Sequence, residues 1–338
     1  MTPSKLFLLP MLFLMVLIIS ACTEETSPKP QETSAKTQTM IGYKITPNVT
    51  YGQGDVVRDG ETFSRDLWMD VYEPVEKAEE PRPAVIMTFG GSFHRGGPRF
   101  TFEVDGAQDT SMGDYCRKLA SLGYVCFAID YRLATELPVL SMTGYSEADL
   151  DMKSFETVIP QVNHVRQSMG LSILDPKKPE DIQFARDFVL SAAEDLNNAV
   201  TFVRNSAQQY NIDPDRIVLG GFSAGAITSW NVAQGMDAPV AGVFTLSGAS
   251  VGFDITKVLT ADSPPSLLFL GEYDLAQAQE ALGQLLQEYK KANAPYTFAW
   301  VPGFGHFYPA GAPSLSGNAT KMSVERRIVE FLEQTVGK

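Results

Sequence analysis

Through most of the chain, short and wholly apolar runs alternate with longer segments whose apolar positions recur at helical spacing. The runs at 83–89, 124–130, 217–219, 240–246, 266–270 and 296–301 read as strands, and a continuous apolar run is what a strand covered on both faces requires. Between them, Leu196, Ala199, Val200, Val203 and Ala207 form one stripe on a helix over 191–210, which Asn211 and Pro214 stop. A helix over 113–121 carries Cys116, Leu119 and Ala120 on one face. Leu282, Leu285, Leu286 and Tyr289 mark another, and Val324, Ile328, Phe331 and Leu332 mark a last one. Ahead of all these, 48–57 and 65–72 alternate apolar with polar residues around Asp59-Gly60, the pattern of an antiparallel hairpin. Strands alternating with helices predict an α/β fold, a mostly parallel sheet with helices on both faces.

Two regions break the alternation. Residues 133–188 separate a strand from the next scaffold helix by far more than an ordinary βα connection. They contain Met142, Tyr145, Met152, Phe155, Ile159 and Met169, so they are expected to pack as a cap-like insertion beside the sheet. At the other extreme, residues 1–21 hold one early charge, Lys5, and an apolar stretch over 6–19 too short to span a bilayer. That stretch ends in Ile19-Ser20-Ala21-Cys22, which resembles the lipobox of bacterial lipoprotein signal peptides. The resemblance implies cleavage before Cys22 and acylation of its thiol, hence an envelope protein anchored to a membrane by lipid. A plain secretory signal with a chance cysteine is the alternative. Residues 22–40 are rich in Thr, Ser, Glu, Lys, Gln and Pro and read as a flexible tether.

Composition narrows the rest. A 338-residue chain that is 44% apolar leaves 41–338 as one large domain. A net charge of −13 argues against nucleic acid and anionic membrane surfaces as electrostatic partners. The three histidines lie far apart and no Cys/His cluster has metal-ligand spacing, so neither a metal nor a cofactor is expected. Nothing in the sequence speaks to oligomeric state.

Candidate chemistry centres on Gly221-Phe222-Ser223-Ala224-Gly225, where the strand over 217–219 turns into a helix. This is the G-x-S-x-G nucleophile elbow, a bend so tight that side chains two residues either side of the serine have no room. A serine hydroxyl needs a base, and the base an orienting carboxylate. Downstream, Gly271-Glu272-Tyr273-Asp274 ends one strand and Pro302-Gly303-Phe304-Gly305-His306 follows the last. Both lie at the carboxyl edge of the sheet, where open α/β sheets bind ligands. His94 and His164 are the other possible bases; Glu272 and Asp254 are the other possible acids.

Together with Met69-Asp70-Val71-Tyr72-Glu73-Pro74, Asp130-Tyr131-Arg132 and Ile212-Asp213-Pro214-Asp215-Arg216-Ile217, these motifs resemble the α/β-hydrolase superfamily. The likeness runs from about residue 48 to the end, outside much of the insertion, and is to its bacterial carboxylesterase/lipase members, close to the feruloyl/acetyl-xylan esterase-like branch. The resemblance implies a serine esterase in which Ser223 attacks, His306 is base and then acid, and Asp274 orients His306. It also implies an oxyanion hole from the amides of Ala224 and of Gly91 or Ser92. Relatives carry His-Gly-Gly-Gly at that loop where this chain has Phe89-Gly90-Gly91-Ser92-Phe93, and Phe89 cannot steady it by polar contacts. Phe93, His94, Phe304, Phe307 and Tyr308 are expected near an aromatic-rimmed pocket for a small-molecule or carbohydrate-linked ester. A peptidase of the prolyl-oligopeptidase type and a catalytically silent binding protein share the scaffold, although the chain has no room for the former's propeller.

Cys116 and Cys126 are read as two buried thiols by default. A disulfide is the alternative in an oxidising compartment, because both lie at similar height above the turn at Gly123. The Cys22 reading carries its own test. Cys22→Ser, or inhibition by globomycin, is expected to move the protein from the membrane to the soluble fraction; unchanged partitioning would refute lipidation.

Overall fold

The structure is a computed structural model describing residues 40–337 except Asp105 and Ala249. The lipobox, Cys22 and all of the tether but Met40 lie outside the described residues. Ten strands form one sheet: β1 (Tyr43–Arg58), β2 (Glu61–Pro74), β3 (Arg82–Thr88), β4 (Val125–Ile129), β5 (Ile212–Phe222), β6 (Gly242–Leu246), β7 (Ser266–Gly271), β8 (Tyr296–Val301), β9 (Pro313–Ser316) and β10 (Lys321–Ser323). Their order is β1-β2-β4-β3-β5-β6-β7-β8-β9-β10. From β4 to β8 neighbouring strands are parallel; the pairs at both edges are antiparallel.

The central strands are apolar throughout because each face has its own core. Along β3, Val85 and Met87 join one cluster with residues of α1 (Met112–Ser121), α5 (Ala276–Ala292) and α6 (Val324–Thr335). Ala84 and Ile86 point the other way, against Leu196, Ala199 and Val203 of α3 (Pro179–Asn205), as the two-residue period of a strand demands. The sheet therefore has the doubly covered form expected from the sequence.

Three details differ from the reading of the sequence. The hairpin begins at Tyr43 rather than 48, since Tyr43 pairs with Pro74 in a stretch whose side chains are mostly exposed and thus carry no apolar alternation. The short β9 and β10 add an antiparallel edge beyond β8. The boundary of the insertion at 188 falls inside one continuous 27-residue helix, α3. The start signal for that helix is in the sequence: Pro179 sits in its first turn, followed by Glu180 and Asp181, where a missing N–H costs nothing and the helix dipole favours acids.

The remainder of the insertion holds short 3₁₀ turns and α2 (Ile159–Ser168), and buries Phe155, Ile159 and Val162 against the domain. Two adjacent carboxylates of α3 fasten its beginning. Asp195, fully buried, accepts from the Arg132 amide at 2.8 Å and pairs with its guanidinium, while Glu194 accepts from the Met142 amide at 2.7 Å and from the Tyr145 hydroxyl at 3.0 Å. Across the sheet, Cys116 of α1 and Cys126 of β4 are joined by a disulfide, with Cα atoms 5.1 Å apart. The default reading of two free thiols is corrected: helix and strand are adjacent in chain and space, at bonding height.

Candidate active site

β5 ends at Phe222 and helix α4 (Ala224–Trp230) begins two residues later. Ser223 makes the whole turn, with φ 54° and ψ −117°. A Cβ on Gly225 would lie 2.0 Å from the Thr88 carbonyl oxygen of β3, so no other residue lets the helix start this close to the neighbouring strand. The Ser223 amide donates to the Leu246 carbonyl at the end of β6, 2.8 Å away.

The Ser223 hydroxyl donates to His306 Nε2 at 2.9 Å, and His306 Nδ1–H donates to Asp274 Oδ1 at 2.6 Å. The two loops that bring these residues together are in backbone contact. Tyr273 N donates to Phe304 O at 2.9 Å, and a Cβ on Gly271 would lie 1.9 Å from Gly305 O. Burial alone would raise the Asp274 carboxyl, but hydrogen bonds from His306, Ser247 and the Leu275 amide hold it below the ordinary carboxylate range. Ser247 was not anticipated. Its hydroxyl donates to Asp274 Oδ2 at 2.6 Å, and the Tyr308 hydroxyl lies 3.1 Å from Ser247 Oγ. Because the serine proton goes to the carboxylate, Tyr308 donates to the serine. Ser247 follows β6 directly, at the same sheet edge, which is the signal that could have marked it.

The other acids are engaged elsewhere. Asp254 caps a short helix, accepting from Thr256 N at 3.0 Å, and Glu272 accepts from Gly303 N at 2.8 Å. His164 is exposed on α2.

The loop after β3 faces the serine. The Gly91 carbonyl accepts from the His94 and Arg95 amides, and the Ser223 carbonyl from the Ala226 and Ile227 amides. In a trans peptide the N–H points opposite to the C=O, so the Ser92 and Ala224 amides are turned away from these bonds. Neither makes a hydrogen bond to protein among the described residues. The loop is steadied without the relatives' histidine: Phe89 stacks on Tyr131 with centroids 4.3 Å apart, and the Tyr131 hydroxyl donates to the Phe89 carbonyl at 3.1 Å.

Three cavities meet at His306, and two of them also reach Ser223. An apolar one of about 560 Å³, its mouth included, runs between α2 and α5 past Val158, Val162, Ile227, Val251 and Ala278. A larger open cleft of about 1610 Å³ lies beside Phe304 and Phe307, and a narrow space of about 260 Å³ at Gly91 and Ser92 links them. Phe93 lines the apolar cavity. His94 and Tyr308 line none of the three, and the expectation for both is corrected. His94 is 1% exposed and works behind the loop. Arg166 of the insertion approaches its Nε2 at 3.1 Å; since a guanidinium only donates, Nδ1 carries the proton and donates to the Ser92 carbonyl at 2.7 Å. Among the described residues no three of His, Cys, Asp and Glu are arranged to hold a metal.

Strand order, crossovers and the elbow define the α/β-hydrolase fold. The family model described as BD-FAE matches residues 185–237, from within α3 through β5 and the elbow to beyond α4. The fold is similar to that of esterase 2 from the planctomycete Thermogutta terrifontis. Its butyrate-bound structure is 15% identical with a TM-score of 0.53, covering 87% of this chain and 92% of that one. Its propionate-bound structure is 16% identical with a TM-score of 0.51, covering 88% and 94%. The form phosphonylated by cyclosarin is 16% identical with a TM-score of 0.52, covering 87% and 93%. No curated protein matches the chain.

Burial pushes the His94 imidazole down to about 4, against the Ser92 hydrogen bond and with help from Arg166. Its folded value thus lies below the ordinary 6.5, so its contribution to stability is complete above that pH and is lost as pH falls toward 4. Thermal unfolding of wild type and His94→Gln should therefore converge between pH 7 and about 4.5; a gap independent of pH would contradict this.

Proposed function

We propose that the protein is a serine hydrolase that cleaves carboxylic esters through an acyl-enzyme. The observation that carries this reading is the unbroken chain from Ser223 Oγ to His306, 2.9 Å, and on to Asp274, 2.6 Å. In it His306 Nε2 takes the serine proton as Oγ attacks the ester carbonyl, and the ionised Asp274 stabilises the imidazolium that results. The amides of Ala224 and Ser92 receive the developing oxyanion, with Gly91 supplying the turn. His306 then gives its proton to the departing alcohol, and a water activated by the same imidazole releases the acid. None of these steps calls on a metal or cofactor.

The mainly apolar cavity between α2 and α5 suits the acyl chain, and the open cleft the alcohol. The propionate- and butyrate-bound forms of the Thermogutta esterase support an acyl group of that order. The Cys116–Cys126 disulfide supports an oxidising compartment, in keeping with a lipid-anchored domain outside the cytoplasm.

A panel of p-nitrophenyl acyl esters and aminoacyl p-nitroanilides tests the reading. Ester turnover should far exceed anilide turnover, and Ser223→Ala or His306→Ala should each lower ester kcat/KM by about three orders of magnitude or more. Near-normal rates in either variant would overturn the assignment, and a preference for anilides would replace esterase by peptidase.

A further inference from the structure

The open cleft contains a charge that no carboxylate among the described residues neutralises. Arg95, next to His94 in the loop after β3, lines both this cleft and the narrow space at Ser92. It is the only lysine or arginine lining any of the three cavities. Many arginines of this chain pair with carboxylates, Arg65, Arg99, Arg132, Arg186 and Arg204 among them; others, such as Arg82 and Arg327, spend their donors on backbone carbonyls instead. Arg95 has no carboxylate partner among the described residues. It makes one long hydrogen bond to Ser168 Oγ, 3.4 Å, and lies over the Phe102 ring with 5.5 Å to the centroid. Its Nε is buried with no acceptor. Neutral partners thus hold the guanidinium in place and leave its charge and most of its donors unspent.

The neighbours strengthen the point. Among the described residues, the one carboxylate lining the open cleft belongs to Asp274, whose two oxygens are taken by His306, Ser247 and Leu275. Gln161 of α2 is, besides His306, the only residue that lines all three cavities, and its amide makes no hydrogen bond to the protein among the described residues. A cation and a free amide therefore line the cleft beside His306 that the proposed function assigns to the alcohol.

We propose that the open cleft recognises an ester whose alcohol moiety carries a carboxylate, bound by the Arg95 guanidinium with the Gln161 amide as a second donor. The class is the acylated hydroxy acid. The inference rests on the esterase reading and refines it. A planar guanidinium matches a carboxylate with two parallel hydrogen bonds. Selection of an anion by a protein of net charge −13 has to come from such a local group, because the molecule as a whole repels anions.

The test compares two acetyl esters on the purified full-length protein, 4-acetoxybenzoate and its neutral methyl ester. Both share the acyl group and the acyl-enzyme, and their intrinsic reactivities cancel when the ratio of kcat/KM values is compared between wild type and variant. Arg95→Gln should lower the anionic-to-neutral ratio by about tenfold or more, with Arg95→Lys keeping part of it. In wild type the ratio should fall as sodium chloride rises to about 0.5 M, through screening. A ratio that Arg95→Gln leaves within about twofold, or a wild-type ratio indifferent to salt, overturns the proposal. Turnover of the neutral ester separates the two claims: its absence in wild type removes the esterase reading as well, whereas its presence with an unmoved ratio removes this one alone.

Discussion

The structure depends on one backbone bend. At Ser223 a non-glycine residue is held at φ 54° and ψ −117°, outside the regions open to a side-chain-bearing residue at no cost; such a conformation costs on the order of 1–3 kcal/mol. It persists because the surroundings leave no alternative. The amide is fixed to the end of β6, and α4 is pressed against β3 where only a glycine at 225 fits. In exchange the hydroxyl stands clear of the sheet, and the first peptide of α4 turns its N–H outward beside it.

Everything else that touches the serine is a consequence of strand order. With β5 in the middle of the sheet, the loops after β3, β6, β7 and β8 open on the same edge, so residues more than 200 positions apart converge. The contact of Gly271 with Gly305 fuses the acid turn and the histidine loop into one unit. Tyr308, Ser247, Asp274 and His306 then form one chain of hydrogen bonds, and the bonds Asp274 accepts keep its carboxyl below the ordinary range although buried. On the far side, His94 joins the loop after β3 to Arg166 of the insertion. The insertion is thereby coupled to the loop after β3 as well as lining the apolar cavity.

Much of this was legible in the sequence, and the reasons for the exceptions are physical. Buried strands announce themselves because both faces are covered, and the elbow because the bend tolerates few residue types. Ser223 is legible from the elbow, while Asp274 and His306 stand out from Glu272, Asp254, His94 and His164 only with the help of the family resemblance. The insertion is less legible: its fold is irregular, and the apolar stripe of α3 is clear only after 191, although the helix starts at Pro179. His94 was misassigned because adjacency in sequence says nothing about which way a side chain leaves a loop with Ser92 and Phe93 at positive φ. Ser247 escaped notice because a lone serine after a strand has no pattern of its own. The disulfide could not be settled by composition, since a buried thiol pair and a bond share the same apolar surroundings.

The central claim is that the bend presents an activated hydroxyl, and covalent labelling tests it most directly. Native protein treated with a fluorophosphonate, digested and analysed by mass spectrometry should carry one adduct, on the peptide containing Ser223, and heat-denatured protein should carry none. An adduct on another residue, or labelling that survives denaturation unchanged, would mean that the fold does not activate this serine.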